Sequence, residues 1–191
     1  MDPCFEGCVI PVAKTCTNEK TAARQRWIEN GLLGLMLDNR FEQITVTDLC
    51  RHLGMARRSF YRYFRDMEDV LDSLMNHTFQ DMAITNTQLT IPAFEEYYTF
   101  WHRQRPLLSA LAHSGMYGKL TQYALKYADE ESLKKHLSDE EPDLTREMNL
   151  FVISGLSALL ISWHAEGFQK TPRQMAQIAQ RMLSRPLFPN L

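Results

Sequence analysis

The sequence predicts an all-α fold of about nine helices. Residues that favour helix, such as Leu, Met, Ala, Gln and Glu, are plentiful, while Gly and Pro number only eight each among 191 residues. Apolar side chains recur at the three- and four-residue spacing that marks one face of a helix. No alternating run is long enough to indicate a strand, and no repeat of about 20–50 residues is visible.

The N-terminal third is predicted to contain an arm followed by three helices. Residues 1–18 show no sustained period and are expected to form a flexible arm. The first helix is predicted over residues 18–38. The second runs from a capping box at Thr45, with an acid three residues later, to Gly54, where a positive φ costs least. The third is predicted over residues 56–64.

The remaining sequence predicts six further helices. The longest are expected over residues 116–137 and 142–168, separated by an acidic loop. A second capping box, Thr171-Pro172-Arg173-Gln174, predicts the last helix. Helix starts are otherwise indicated by a capping acid or by a proline that suits the first helical turn, namely Asp66, Pro92, Pro106 and Pro142.

Positive charge is concentrated between residues 51 and 65. This stretch carries five arginines and no acid, although the whole chain has a net charge of −2. Its apolar residues are spaced for a short helix, a glycine turn and a second short helix. That combination is typical of proteins that present a basic helix to the major groove of DNA. The five residues are Arg51, Arg57, Arg58, Arg62 and Arg65.

Other functional classes find little support. No run of the ~18 apolar residues that a membrane span requires is present, and the N-terminus is not a secretory signal, so we expect a cytoplasmic protein without a membrane partner. No arrangement of catalytic residues and no cofactor motif is found, so neither enzyme activity nor a cofactor is expected. Cys4, Cys8 and Cys16 are interpreted as incidental thiols of the arm rather than as a metal site or an oxidant sensor.

Residues 23–74 resemble the N-terminal DNA-binding domain of the TetR/AcrR family of transcriptional regulators. The matching motifs are Ile44-Thr45-Val46-Thr47-Asp48-Leu49, Gly54-Met55, Ser59-Phe60-Tyr61-Arg62-Tyr63-Phe64 and Glu68-Asp69-Val70-Leu71. The sequence departs from the family at Ala56, where a capping Ser or Thr is common, and at Met67, where a Lys that touches DNA is frequent. The resemblance implies a helix-turn-helix domain over residues 19–66 and a helical regulatory and dimerisation domain over residues 67–191.

The third helix is the candidate for base recognition. Phe60 and Phe64 are expected to hold it against the core, which leaves Arg57, Arg58 and Arg62 to read bases. A bidentate Arg–guanine pair contributes about 1–3 kcal/mol of discrimination. Phosphate contacts are expected from hydroxyls and from the end of the basic stretch. The complete predicted DNA-binding set is Thr45, Thr47, Ala56, Arg57, Arg58, Ser59, Tyr61, Arg62, Tyr63 and Arg65.

The resemblance also implies a homodimer on a palindrome-like operator and a small-molecule effector. The predicted dimer interface is Gly155, Leu156, Leu159, Leu160, Trp163, Met175, Ile178 and Met182; the alternative is a monomer with a buried eighth helix. The predicted effector pocket is Phe79, Tyr98, Trp101, Met116, Tyr117, Tyr123 and Phe151; the alternative is that these aromatic residues are core. A repressor released by the effector is favoured, and an activator whose C-terminal domain binds a protein co-regulator, through the acidic loop near residues 139–143, is the alternative.

Overall fold

The computed structural model describes residues 19–82, 90–135 and 142–184, and within these ranges the chain forms nine α-helices and no strand. A 3-10 turn at Phe41–Gln43 precedes the second helix. The helices are α1 (Glu19–Asp38), α2 (Val46–His52), α3 (Arg57–Phe60), α4 (Met67–Asp81), α5 (Ile91–Arg103), α6 (Arg105–His113), α7 (Tyr117–Lys135), α8 (Pro142–Ala165) and α9 (Pro172–Ser184). The predicted all-α class is confirmed. The arm over residues 1–18, with Cys4, Cys8 and Cys16, and residues 139–141 of the acidic loop lie outside the described residues.

Local sequence signals set most helix boundaries. Asp66 caps α4 by accepting a hydrogen bond from the Asp69 backbone N–H at 2.8 Å. Gln174 and Thr171 form the predicted capping box at the start of α9. Gly167, with a φ of 73°, follows the end of α8 at Ala165, earlier than the predicted end at residue 168. The left-handed glycine explains the earlier stop, since such a residue ends a helix at little cost.

The third helix is also shorter than predicted. Only Arg57–Phe60 is regular α-helix, and residues 61–63 continue as turns in which the backbone N–H groups of Arg62 and Tyr63 bond three residues back. The Phe64 N–H still bonds to the Phe60 carbonyl at 3.1 Å, so both aromatic side chains face the core as expected.

One buried apolar cluster runs from α1 to α9. In α1 it includes Ile28, Leu32 and Met36, which lie on one face. This face packs against α4 and α6, while α5 packs along α9 and α7 along α8. Because α4 packs against α7 as well as against α1, it touches both the N-terminal and the C-terminal helices. The domain boundary between residues 66 and 67 remains a prediction.

Candidate nucleic-acid interface

The start of α2 is held by a reciprocal capping box. The Thr45 hydroxyl accepts from the Asp48 backbone N–H at 3.2 Å, and the Thr45 N–H donates to the Asp48 carboxylate at 3.1 Å. The hydroxyl also donates to that carboxylate at 2.5 Å, and these bonds to Thr45 lower the pKa of Asp48. Thr45, predicted to hold a phosphate, is thus engaged in the cap, whereas Thr47 is exposed and its hydroxyl has no hydrogen-bond partner among the described residues.

The turn after α2 sets the direction of α3. Gly54 adopts a φ of 61°, which L side chains rarely reach, and Met55 then packs into the core. Phe60 and Phe64 are buried, and they anchor α3 and the turn that follows it to the core. Ala56 is in an extended conformation before α3 and supplies no side-chain cap, as its departure from the family pattern indicated.

Four of the five arginines of the basic stretch fall into two groups. Arg51 pairs with Asp48 at 3.2 Å, and Arg65 pairs with Asp69, also at 3.2 Å, which raises the pKa of the Arg65 guanidinium. Arg58 and Arg62 are exposed and form no ion pair with any residue that the structure describes. The guanidinium groups of Arg58 and Arg62, at the centre of the stretch, therefore carry a charge that no acidic side chain among the described residues offsets, and their N–H donors are available.

Arg57 is held by a neutral partner. Its guanidinium donates to the Tyr61 hydroxyl at 3.3 Å, one helical turn along the chain. Both side chains are exposed and the Tyr61 hydroxyl is neutral, so Arg57 keeps its charge. The hydrogen bond to Tyr61 reduces the number of rotamers that Arg57 can adopt. Tyr61, predicted as a phosphate contact, also serves to orient Arg57. Two other members of the predicted set, Ser59 and Tyr63, are half-buried behind this surface.

The predicted effector residues do not form one group. Phe79 and Trp101 are buried with ring centroids 5.4 Å apart, and the Tyr123 ring stacks on Phe79 at 6.4 Å. Tyr98 is buried nearby on α5 and Met116 is half-buried. Phe151 is 58% exposed, because it lies on the outer face of α8, so its assignment to an interior pocket is corrected.

Tyr117 belongs to a separate polar cluster that the sequence did not indicate. Its hydroxyl lies 2.5 Å from Nδ1 of His164, and the Ser109 hydroxyl lies 3.1 Å from Nε2 of the same ring. Burial, and secondly the charge of Arg105, lower the pKa of His164. The ring is thus a neutral hydrogen-bonding link between α6, α7 and α8.

The predicted dimer residues are also divided. Leu160, Trp163 and Met175 are buried in the chain's own core, which corrects their assignment to a surface. The others, Gly155, Leu156, Leu159, Ile178 and Met182, are exposed or half-buried. Three exposed apolar residues of α8 were not predicted as interface, namely Met148, Leu150 and Phe151. The sequence feature that could have indicated them is that the apolar residues of α8 are spaced over more than one face of the helix.

Polar bonds tie α4 to its neighbours on both sides. Arg26 of α1 makes a bidentate pair with Asp81, at 2.8 and 3.0 Å. On the other side, Lys119 of α7 pairs with Glu68 at 2.6 Å, and the Tyr123 hydroxyl donates to Asp72. Sequence reasoning missed these pairs because their partners lie more than fifty residues apart.

In comparison with known proteins, the N-terminal part of the chain matches the pattern of one protein family. The sequence pattern described as "Bacterial regulatory proteins, tetR family" matches residues 22–74, the segment that contains α2, α3 and the basic stretch. A relative, the HTH-type dhaKLM operon transcriptional activator DhaS of Lactococcus lactis subsp. lactis, is 28% identical over 69 residues, which is 36% of this chain and 37% of that protein. The chain thus matches little more than a third of that relative's length.

Solved structures share the fold over most of the chain. A structure of the dihydroxyacetone kinase operon activator DhaS has a TM-score of 0.57 at 15% identity and covers 83% of this chain and 93% of that one. The fatty acid degradation regulator FadR from Bacillus halodurans gives 0.55 at 14% identity, covering 86% and 96%. FadR from Bacillus subtilis in complex with stearoyl-CoA gives 0.52 at 14% identity, covering 84% and 97%.

Proposed function

We propose that the chain, whose residues 22–74 match the pattern of the tetR family of bacterial regulatory proteins, is a DNA-binding transcriptional regulator. We further propose that it represses transcription from a palindrome-like operator and releases it when a small effector binds. The observation that carries the DNA-binding site is the pair Arg58 and Arg62, exposed and without an acidic partner among the described residues. They lie on α3 and on the turn that follows it, which Phe60 and Phe64 anchor to the core. Guanidinium groups placed in this way can donate bidentately to guanine.

The division of the arginines suggests two tasks. Arg57, Arg58 and Arg62 are proposed to read bases. Thr47 and Tyr63 are proposed to contact phosphates, as is Arg65 from its position beside Asp69. Contacts with phosphates fix the register on the duplex, whereas contacts with base edges carry the sequence information.

Selection of bound sequences from a random DNA pool, followed by binding measurements, tests the site. Arg58→Ala should weaken binding to the selected operator by roughly 5- to 150-fold, the equivalent of about 1–3 kcal/mol. Binding to unrelated DNA should fall much less, because it depends on overall charge. Arg103→Ala is the matched control: Arg103 is also exposed, at the end of α5, and has no acidic partner in the described parts of the chain.

If Arg58→Ala lost the same amount of affinity for the operator and for unrelated DNA, the base-reading role of Arg58 would be refuted. If Arg58→Ala bound the operator with wild-type affinity, the proposed DNA-binding site itself would be refuted. The salt dependence gives a second readout, since a variant that no longer neutralises one phosphate should lower the slope of log affinity against log salt by about one.

We propose that the protein is a dimer through α8 and α9. The segment Glu147–Ala165 of α8 contains an 18-residue window with a mean hydropathy of 1.5, yet only 17% of that window is buried within the chain. By length and composition alone this helix could cross a membrane, but Ser154, Gly155, Ser157 and Ser162 interrupt it. A second copy covering this surface would place two α3 helices roughly 34–36 Å apart on a two-fold symmetric operator in the cytoplasm.

An activator is the second candidate, and one comparison favours it. The Lactococcus relative is named as an operon activator, and a solved DhaS structure has the same fold. Such a regulator would use its C-terminal helices to bind a protein co-regulator in place of a metabolite. In vitro transcription from a promoter next to the selected operator separates the two, since a repressor lowers the transcript yield and an activator raises it.

A further inference from the structure

The turn between α8 and α9 is closed by bonds centred on Trp163 and Phe168. The Phe168 backbone N–H donates to the Trp163 carbonyl at 2.9 Å, and the Gly167 N–H donates to the His164 carbonyl at 2.9 Å. This is the pattern of a Schellman motif, with Phe168 and Trp163 in its hydrophobic contact at 4.6 Å between ring centroids. The Trp163 indole N–H also donates to the Lys170 carbonyl at 3.0 Å. The direction of α9 therefore depends on how these two aromatic rings are held.

Phe168 adopts an unfavourable backbone conformation. Its φ is 58°, and it is the one residue other than glycine with a positive φ in the parts of the chain that the structure describes. Such a conformation persists only where the surrounding contacts hold it in place. Around the Phe168 ring these contacts are His102 at 5.0 Å, His164 at 5.2 Å and the Arg105 guanidinium at 5.3 Å. Two histidines and an arginine thus hold the strained residue of the turn.

His102 is held in its neutral form by Arg105. A terminal nitrogen of the Arg105 guanidinium lies 3.0 Å from Nε2 of His102. A guanidinium can only donate, so Nε2 must accept and the ring proton must be on Nδ1. Protonation of His102 would leave two donors facing each other and place two positive charges about 3 Å apart. The same ring stacks on Trp163 at 5.7 Å, so a displacement of His102 also affects the turn.

His164 is the second ring near this guanidinium. Its bonds to the hydroxyls of Tyr117 and Ser109 are compatible with either protonation state, because a hydroxyl can both donate and accept. Burial, and secondly the charge of Arg105, lower the pKa of His164. The fold therefore favours the neutral form of His164, as the geometry of Arg105 favours that of His102.

No carboxylate offsets positive charge at the two rings in the described ranges. The titratable groups that contact them from neighbouring helices are Arg105 of α6 and Tyr117 of α7, and α9 supplies none. Glu166, the carboxylate of the same turn, is paired with Lys170 at 3.0 Å. Protonation of both histidines would therefore collect three positive charges around one phenylalanine ring.

We propose that His102 and His164 form a proton-sensitive switch at the turn between α8 and α9. With both rings neutral, they hold Phe168 in its strained conformation and keep α9 packed along α5. Protonation below about pH 6.5 sets both rings against Arg105 and releases the turn. The switch adds pH as an input to the transcriptional function proposed above, and its effect on assembly rests on the proposed dimer through α8 and α9.

The sign of the pH dependence follows from the neutral forms. A histidine that the fold keeps neutral stabilises the protein above the ordinary histidine pKa of about 6.5, and this stabilisation is lost as the pH falls below that value. The Tm of the full-length protein should therefore fall between about pH 7.5 and about pH 5.5. A difference of one pKa unit between the folded and unfolded states corresponds to about 2–4 °C for a chain of this size.

Histidine variants test the switch. The Tm of His102→Gln should fall by about 2–4 °C less than that of wild type over this pH range, because the amide oxygen can still accept from Arg105 but is not protonated. His164→Gln should show the same reduced dependence. His113→Gln is the matched control: it removes an exposed histidine of α6 and should keep the wild-type pH dependence.

Arg105→Gln tests the same switch with both histidines in place, so it decides the question even if His164→Gln does not fold. Removal of the guanidinium should raise the pKa of His164 towards its ordinary value and reduce the loss of Tm in acid. NMR titration of the His164 ring measures the first effect, and thermal unfolding measures the second. A structural role of Arg105 alone would lower Tm equally at both pH values.

Two outcomes would overturn the inference. They are an equal fall of Tm in wild type and in both histidine variants, and a His164 ring that titrates at or above about pH 6.5 in the folded protein. Sedimentation reports on assembly separately: acidification should raise the dimer dissociation constant about threefold to tenfold in wild type and leave it unchanged in His102→Gln. A pH-dependent Tm with a constant dissociation constant would support the switch and refute its link to assembly. A monomer at both pH values would refute the proposed dimer, while the Tm comparison still decides the switch.

Discussion

At the scale of single residues, the largest departure from sequence expectation is Glu29. It is 1% exposed in the middle of α1, where it accepts from the Ser73 hydroxyl at 2.7 Å and lies 2.9 Å from Nδ1 of His77. Both partners are on α4. A glutamate on a helix is usually exposed, and nothing in the neighbouring sequence distinguishes this one. Only the crossing of α1 over α4 makes it a buried polar link.

Glu29→Ala should destabilise the protein by about 2–4 kcal/mol, because it leaves the Ser73 hydroxyl and the His77 ring without their acceptor. Thermal unfolding at a fixed protein concentration measures the effect. Glu42→Ala is the control, since Glu42 is exposed and 3.9 Å from Arg40, and it should change stability by about 0.5 kcal/mol or less. Similar Tm values for the two variants would show that the buried link contributes little.

At the scale of the elements, the sequence predicts what depends on local chemistry. The caps at Thr45, Asp66 and Thr171 and the positive φ of Gly54 are confirmed, because each involves residues within about one helical turn. The burial of Leu160 could not be predicted, since the apolar residues of α8 cover more than one face. Which face turns inward is decided by α6 and α7, and not by α8 itself.

The packing of α1 against α2 gives a paired prediction. A Cβ at Gly31 would lie 2.6 Å from Cδ2 and 2.9 Å from Cγ of Leu53, whereas a Cβ at Gly34 would have as its nearest neighbour the His52 ring at 3.8 Å. Gly31→Ala should therefore destabilise by roughly 1–3 kcal/mol through overpacking. Gly34→Ala should stabilise by up to about 1 kcal/mol, because alanine favours helix.

The two glycine variants also test how α3 is positioned. Because α2 rests on α1 at Gly31, a shift of α2 should displace α3 and weaken operator binding in Gly31→Ala, with Gly34→Ala unaffected. Chemical denaturation and DNA-binding titrations measure the two effects separately. A Gly31→Ala protein as stable as wild type would mean that Leu53 moves aside freely and that this close approach does not fix the domain.

At the scale of the whole molecule, the unusual feature is the apolar surface that α8 and α9 leave uncovered. Phe151 is 58% exposed, Met148 is 53% exposed and Met182 is 51% exposed. Large apolar side chains exposed on one helix within a turn of each other, as Met148 and Phe151 are, typically mark an interaction surface. Stable dimers bury about 1,200–2,000 Å² in total, an area that two helices of this length can supply together with their copies. The assignment of α8 and α9 to the interface remains a proposal, and Leu160, Trp163 and Met175 of the predicted set are buried within the chain.

Phe151→Glu should therefore convert the proposed dimer to monomer, because it would place two charges in the apolar centre of the proposed symmetric interface. Sedimentation at micromolar concentration should give twice the 22.3 kDa chain mass for wild type and a lower mass for the variant. Leu37→Glu, at an exposed apolar residue of α1, is the control and should remain dimeric. Operator affinity of Phe151→Glu should fall as well, since a monomer engages one half-site, and a wild-type monomer at these concentrations would refute the two-fold arrangement.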